Sequence, residues 1–221
     1  MSNTLIFDNA EDLGFNKEIK MPTIYPDLSP EERLKKLKTI VSKRWAEESK
    51  KIPKERHSEY VDGIRFEMDI IEKTNEEVKT ADYFLINEKI IDLGVNKYNG
   101  TLTRTGRGSA VSFYMNKLLG FTEIDRFDAE VPLYPTRFIS VSRLLEAKSL
   151  ADIDFNVADP MPFIQASKEI LGDDGVSLTV GITPPFFAVI VYLLFLTIVG
   201  NKHMLFYFII ISCVVACYYI V

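Results

Sequence analysis

Glycines at 106 and 108, with Arg107 between them and Ser109 after, force a turn near the middle of this 221-residue chain. Without a Cβ, both positions accept positive φ and let a ligand come close to the backbone. The residues that follow have helical spacing. Ala110, Val111, Phe113, Tyr114, Leu118 and Leu119 form an apolar face, and Gly120 is a stop signal. A helix starting at Ser109 would offer unpaired N–H groups and the positive end of its dipole. Arg107 lies beside it, and no carboxylate follows before Glu123. Such a start suits a phosphate. An ordinary loop with a glycine turn and a serine cap has the same local signature, so the stretch alone leaves both readings open.

A second stretch narrows the choice. In Leu150-Ala151-Asp152-Ile153-Asp154-Phe155-Asn156 the two aspartates are two residues apart, with apolar residues between and around them. On a strand this period puts both carboxylates on one face and Ala151, Ile153 and Phe155 on the other, toward a core. Adjacent like charges are destabilising unless a cation lies between them. Paired carboxylates are also how Mg²⁺ is held against substrate phosphates. A solvated strand face is the plain alternative for the pair by itself. A glycine-serine turn at a helix start, followed by Asp-apolar-Asp on a strand, resembles the polymerase-β-like nucleotidyltransferases.

Composition excludes several classes. The net charge of −5 provides no overall basic field for nucleic acid, and the early run of Lys and Arg from Lys35 to Arg56 is interleaved with Glu, as on a solvated helix. Cys213 and Cys217 lie inside an apolar run and suit buried thiols. His57 and His203 are too isolated for a histidine metal cluster. Residues 1–12 are polar and acidic, unlike a secretory signal.

Along the chain, 1–28 reads as an irregular lead-in. Ser29-Pro30-Glu31-Glu32 then opens a helix with Leu34, Leu37, Ile40, Val41 and Trp45 on one face. A second helix is predicted over 55–73, with Tyr60, Ile64, Met68 and Ile71 inward and a polar connection from Thr74 to Thr80. Residues 81–93 combine a strand-like start with helical spacing, and Gly94 is read as their end. Asn99-Gly100 is a turn signal for a hairpin. Residues 121–138 read as loop, 140–148 as a short helix or strand, and 162–171 as a helix closed by Gly172.

Taken together these residues resemble a family. Tyr83-Phe84-Leu85-Ile86, Gly106-Arg107-Gly108-Ser109-Ala110, Leu119-Gly120-Phe121-Thr122, Arg137-Phe138, Asp152-Ile153-Asp154-Phe155 and Ile170-Leu171-Gly172 occur in the order found in the palm of C-family replicative DNA polymerases. These are the bacterial DNA polymerase III α subunits and their phage relatives. The resemblance covers roughly 20–178. It implies an α+β fold, a partial polymerase-β-like palm with a mixed sheet, over 29–180. It also implies that Gly106, Gly108 and Ser109 cradle a dNTP triphosphate, with Arg107 and Arg137 as charged partners. Asp152 and Asp154 would hold two Mg²⁺ and act as the catalytic carboxylates. Primer–template DNA and replisome subunits are the implied partners, and the cytoplasm the implied location. The chain departs from the family pattern in three respects. Ser149, Leu150 and Ala151 replace the usual proline and extra acid, Asn156 follows the pair, and 95–105 resembles a local insertion. The family's third catalytic aspartate, thumb, fingers and phosphoesterase-like domain have no counterpart in the sequence, so template-directed synthesis by this chain alone is not expected.

From 181 the composition changes. Phe186 to Val199 and Met204 to Val221 are nearly continuous apolar runs, and Lys202 is the only formal charge after Gly181. An apolar helical hairpin over 181–221, a membrane segment through 184–221, is one expectation. Translated intervening sequence behind a polymerase fragment is another. The leading function is thus a DNA polymerase fragment with nucleotide and metal sites. The alternatives are a membrane-tethered module without catalysis and a smaller nucleotidyltransferase.

Overall fold

A capping box starts the first helix in the computed structural model, which describes residues 19–103 and 108–176. The Ser29 hydroxyl accepts from the Glu32 N–H at 3.2 Å, and the Glu32 carboxylate accepts from the Ser29 N–H at 2.8 Å. With Pro30 at the first position, α1 runs Pro30–Glu48 as the sequence predicts. It buries Leu37 and Val41.

Helices α2 (His57–Val78) and α3 (Thr80–Asn96) follow. The polar stretch read as a connection is mostly helix. The Thr74 hydroxyl donates to the Ile70 carbonyl at 2.8 Å and lies 2.7 Å from the Thr80 hydroxyl. The Asn75 side-chain carbonyl accepts from the Ala81 N–H at 2.9 Å. These polar groups satisfy the helix ends from inside, and the link shrinks to Lys79, held left-handed at φ 56°. The 81–93 stretch with its strand-like start is all helix. Ala81, Tyr83, Phe84, Leu85, Ile86, Ile90 and Ile91 are buried around most of its circumference, which hides the helical period.

Gly94 does not end α3. It lies inside the helix because Phe163 of α6 (Met161–Leu171) packs there, and a Cβ at Gly94 would come 2.5 Å from the Phe163 ring. A Cβ at Gly100 would meet the same ring at 2.8 Å. Asn99 turns the chain at φ 57°, but toward a single bridge instead of a hairpin. Two five-residue helices, α4 (Tyr114–Leu118) and α5 (Val141–Leu145), complete the set among the described residues. Gly120 and Gly172 close α4 and α6 at φ 82° and 78°, where the sequence places stops.

The core centres on Phe84 of α3. Its ring stacks on Phe113 at 5.8 Å and Phe121 at 6.5 Å, and Phe138 packs edge-on at 6.5 Å. A buried ion pair ties α1 to the start of α3, with Arg33 Nε donating to Asp82 Oδ2 at 2.9 Å.

These observations correct the expected α+β palm with its mixed sheet. The described residues are helical, and β pairing among them is an isolated antiparallel bridge, Leu102 to Val157. Once 81–86 is spent on a core helix, the Asp segment has no apolar strand beside it to pair with. No helix among the described residues is long and apolar enough to cross a membrane. The apolar hairpin and membrane segment expected over 181–221 lie outside the described residues. The chain divides after Val176, and every described residue belongs to the first unit.

The Phe163 contact makes a test. In an exposed helix Gly→Ala stabilises by about 0.5–1 kcal/mol. Here Gly94→Ala is expected to lower stability by about 1–2 kcal/mol through overpacking, read as a lower urea midpoint. A raised midpoint would mean that the Phe163 ring yields.

Candidate functional site

Gly108 and Asp154 meet. Gly108 has φ 73°, and a Cβ built on it would sit 2.8 Å from Asp154 Oδ2. Only glycine satisfies both the backbone conformation and the space that the carboxylate occupies. The turn and the aspartate, 46 positions apart, are thus in contact.

The Asp segment reaches this place outside any helix or strand. Its side chains alternate as period 2 requires. Ala151 is buried, Ile153 and Phe155 pack against the core, and Asp152 and Asp154 are exposed. The alternation holds although 151–155 is not in a sheet. Packing supplies the constraint, through Phe155 edge-on to Phe121 at 5.8 Å. Just beyond, the Thr103 N–H donates to the Asn156 carbonyl at 2.8 Å and the Ala158 N–H to the Thr101 carbonyl at 3.0 Å. These bonds lay the residues leading into the glycine turn beside those leaving the Asp pair.

Ser109 begins differently from expectation. A 3-10 turn covers Ala110–Ser112, Phe113 is extended, and only then does α4 start. The first N–H groups of α4 are not free for a phosphate. Tyr114 N–H and Met115 N–H donate to the two oxygens of Glu67 at 2.8 Å each, and Arg126 Nε donates to Glu67 Oε1 at 2.9 Å. Glu67 comes from α2 and is fully buried. Burial pushes its carboxyl up to about 7, against the pull of Arg126 and the two backbone donors. The anion at this helix start is therefore the protein's own, and what the turn offers a ligand lies at Gly108 and Ser109.

Arg137 ends a 3-10 turn, Pro135–Arg137, that packs against the 110–112 turn, with Phe138 and Phe113 rings 5.4 Å apart beneath. Arg137 itself is exposed. Gly106 and Arg107 lie outside the described residues. Tyr83 reaches the Asp segment from α3, its hydroxyl donating to the Ala151 carbonyl at 2.7 Å. Burial and then the charge of Asp152 raise the Tyr83 phenol above its ordinary range, while Arg143 acts the other way.

The described residues contain no cluster of three or more acidic, histidine or cysteine side chains able to hold a metal. Asp152 and Asp154 are two hard oxygen donors, and Mg²⁺ is commonly bound by one or two carboxylates plus substrate phosphate and water. A cavity of about 610 Å³ between the end of α1 and the loop after α4 is lined by neither aspartate. Its cations are engaged already, Lys51 by Glu48 at 2.7 Å, Lys117 by Glu48 at 2.9 Å and Asp125 at 3.0 Å, and Arg44 by Glu88 and the Leu118 carbonyl.

Glu67, Arg126 and the Tyr83 hydroxyl were not singled out from sequence. The signal for Glu67 was available, since it falls on the Tyr60, Ile64, Ile71 stripe of α2, where a carboxylate must find donors. Glu67→Gln is expected to lower stability by about 1–3 kcal/mol, because its NH₂ is set against one of the two backbone N–H groups that the carboxylate oxygens now accept from. Urea unfolding of the two proteins measures this, and a cost under about 0.5 kcal/mol would show that α4 is held by its apolar contacts alone.

Compared with protein families, residues 35–183 match the family described as Bacterial DNA polymerase III alpha NTPase domain, well over half of the chain. No curated protein matches the chain significantly.

Proposed function

Since this chain belongs to the bacterial DNA polymerase III alpha NTPase-domain family, we propose that it carries a nucleotide and metal site of such a polymerase, built on Gly108, Ser109, Asp152 and Asp154. The contact between Gly108 and Asp154 carries this reading, because it joins the phosphate turn to the acidic segment at 2.8 Å from a missing Cβ. In it Ser109 and the Gly108 backbone receive the triphosphate of a dNTP. Arg137 adds positive charge from the neighbouring turn, and Gly106 and Arg107 belong to the same turn by sequence.

Asp152 and Asp154 fit Mg²⁺ in donor chemistry and in exposure, and they would hold it toward the phosphates. When bound, the cation neutralises phosphate charge and, with a second one, steadies the attacking and leaving oxygens. The chain's own part is positioning. The apolar residues at 151, 153 and 155 keep both carboxylates on the solvent side, and glycine at 108 leaves Asp154 room to approach the turn. Primer–template DNA is the polymer that such a site serves in this family reading.

Calorimetry of dNTP binding with and without Mg²⁺ tests the proposal. Binding is expected to need Mg²⁺, to be lost in Asp152→Ala, and to weaken at least tenfold, or about 1.4 kcal/mol, in Gly108→Ala. Binding that persists in EDTA, or that survives Asp152→Ala unchanged, would contradict it.

A further inference from the structure

Tyr83 is fixed in the core by its ring, which is 7% exposed and lies edge-on to Phe84 at 5.2 Å. Its hydroxyl reaches past the core and donates to the carbonyl of Ala151, the residue immediately before Asp152. Ala151 is itself 4% exposed, so water does not compete for that carbonyl. Among the described residues, few other backbone bonds hold the segment it belongs to. Among the described residues, backbone bonding upstream stops at the Ser149 N–H to Arg143 carbonyl bond, and it resumes downstream only at Asn156 and Ala158. Between those points the two aspartates depend on side-chain packing and on the Tyr83 hydroxyl.

Register matters in this segment, because exposure alternates from Ala151 to Phe155. With period 2, a slip of one residue would turn Asp152 and Asp154 into the core and Ile153 out to water. A bond to the carbonyl at 151 blocks that slip, since it fixes the peptide plane from which Asp152 begins. We propose that Tyr83 is a positioning residue for the metal site, holding Asp152 and Asp154 in register through the Ala151 carbonyl. The role rests on the metal-site reading above.

The test uses the full chain and Mn²⁺ alone as probe, with affinity measured by electron paramagnetic resonance on wild type, Tyr83→Phe and Asp152→Asn. Hydrogen exchange is followed in parallel. Tyr83→Phe keeps the ring and removes one hydroxyl, and with it the bond to the Ala151 carbonyl. Mn²⁺ binding is expected to weaken by up to about tenfold. The Thr103 and Ala158 amides, which close the bridge beyond the pair, should exchange faster while amides inside α2 keep their protection. A merely structural role would speed exchange in α2 equally, and that result overturns the proposal. Wild-type binding that Asp152→Asn removes but Tyr83→Phe leaves unchanged overturns the role of Tyr83 and spares the metal site. Absence of any Asp152-dependent Mn²⁺ binding overturns both.

Discussion

The buried carboxylate of Glu67 is the interaction on which the arrangement of this domain depends. A charge removed from water costs several kcal/mol unless its lone pairs are met. Here two backbone N–H groups and a guanidinium meet them. One side chain on α2 thereby fixes the start of α4 and captures Arg126. Because α4 begins two residues after the 110–112 turn, the same bond sets where the Gly108–Ser109 turn can lie. The polar contact and the aromatic core work on adjacent atoms, since Phe113 lies between the turn and α4 and stacks on Phe84.

The second constraint comes from α3. Its residues face the core on nearly all sides, yet Tyr83 sends a hydroxyl to the Asp segment and Asp82 pairs with Arg33 of α1. Among the described residues Asp82 Oδ1 has no hydrogen-bond partner, and the carboxylate is met by Arg33 through its other oxygen. Glu67 of α2 and the Tyr83 hydroxyl of α3 each reach beyond the apolar core, one to the start of α4 and the other to the Asp segment. That division explains how a largely helical domain brings together two loops, at 108–109 and 151–155, far apart in sequence.

Much of this was legible in the sequence. The Ser29 cap, the stops at Gly120 and Gly172 and the alternation at 151–155 follow local rules that tertiary packing did not overturn. Residues 35–183 match the family to which the sequence motifs pointed. The sheet was misread because burial on all sides of 81–91 erases the helical period, leaving β-prone residues such as Tyr83, Phe84 and Ile86 to suggest a strand. Gly94 was misread because a stop signal and a packing glycine look alike until the partner, Phe163, is known. The phosphate-ready helix start was misread for a similar reason. The anion that occupies it is 47 residues upstream, on a stripe that reads as apolar.

The proposed cation site joins the turn at Gly108 to the carboxylates of Asp152 and Asp154. Paramagnetic broadening of backbone amide resonances by substoichiometric Mn²⁺ tests this most directly, because the effect falls steeply with distance from the ion. Early loss of the Gly108, Ser109 and Asp152 to Phe155 signals together, with α2 and α6 unaffected, is the expected result. Broadening centred elsewhere, for example on Glu47 and Glu48 beside the cavity, or broadening at 152–155 that spares Gly108, would contradict it.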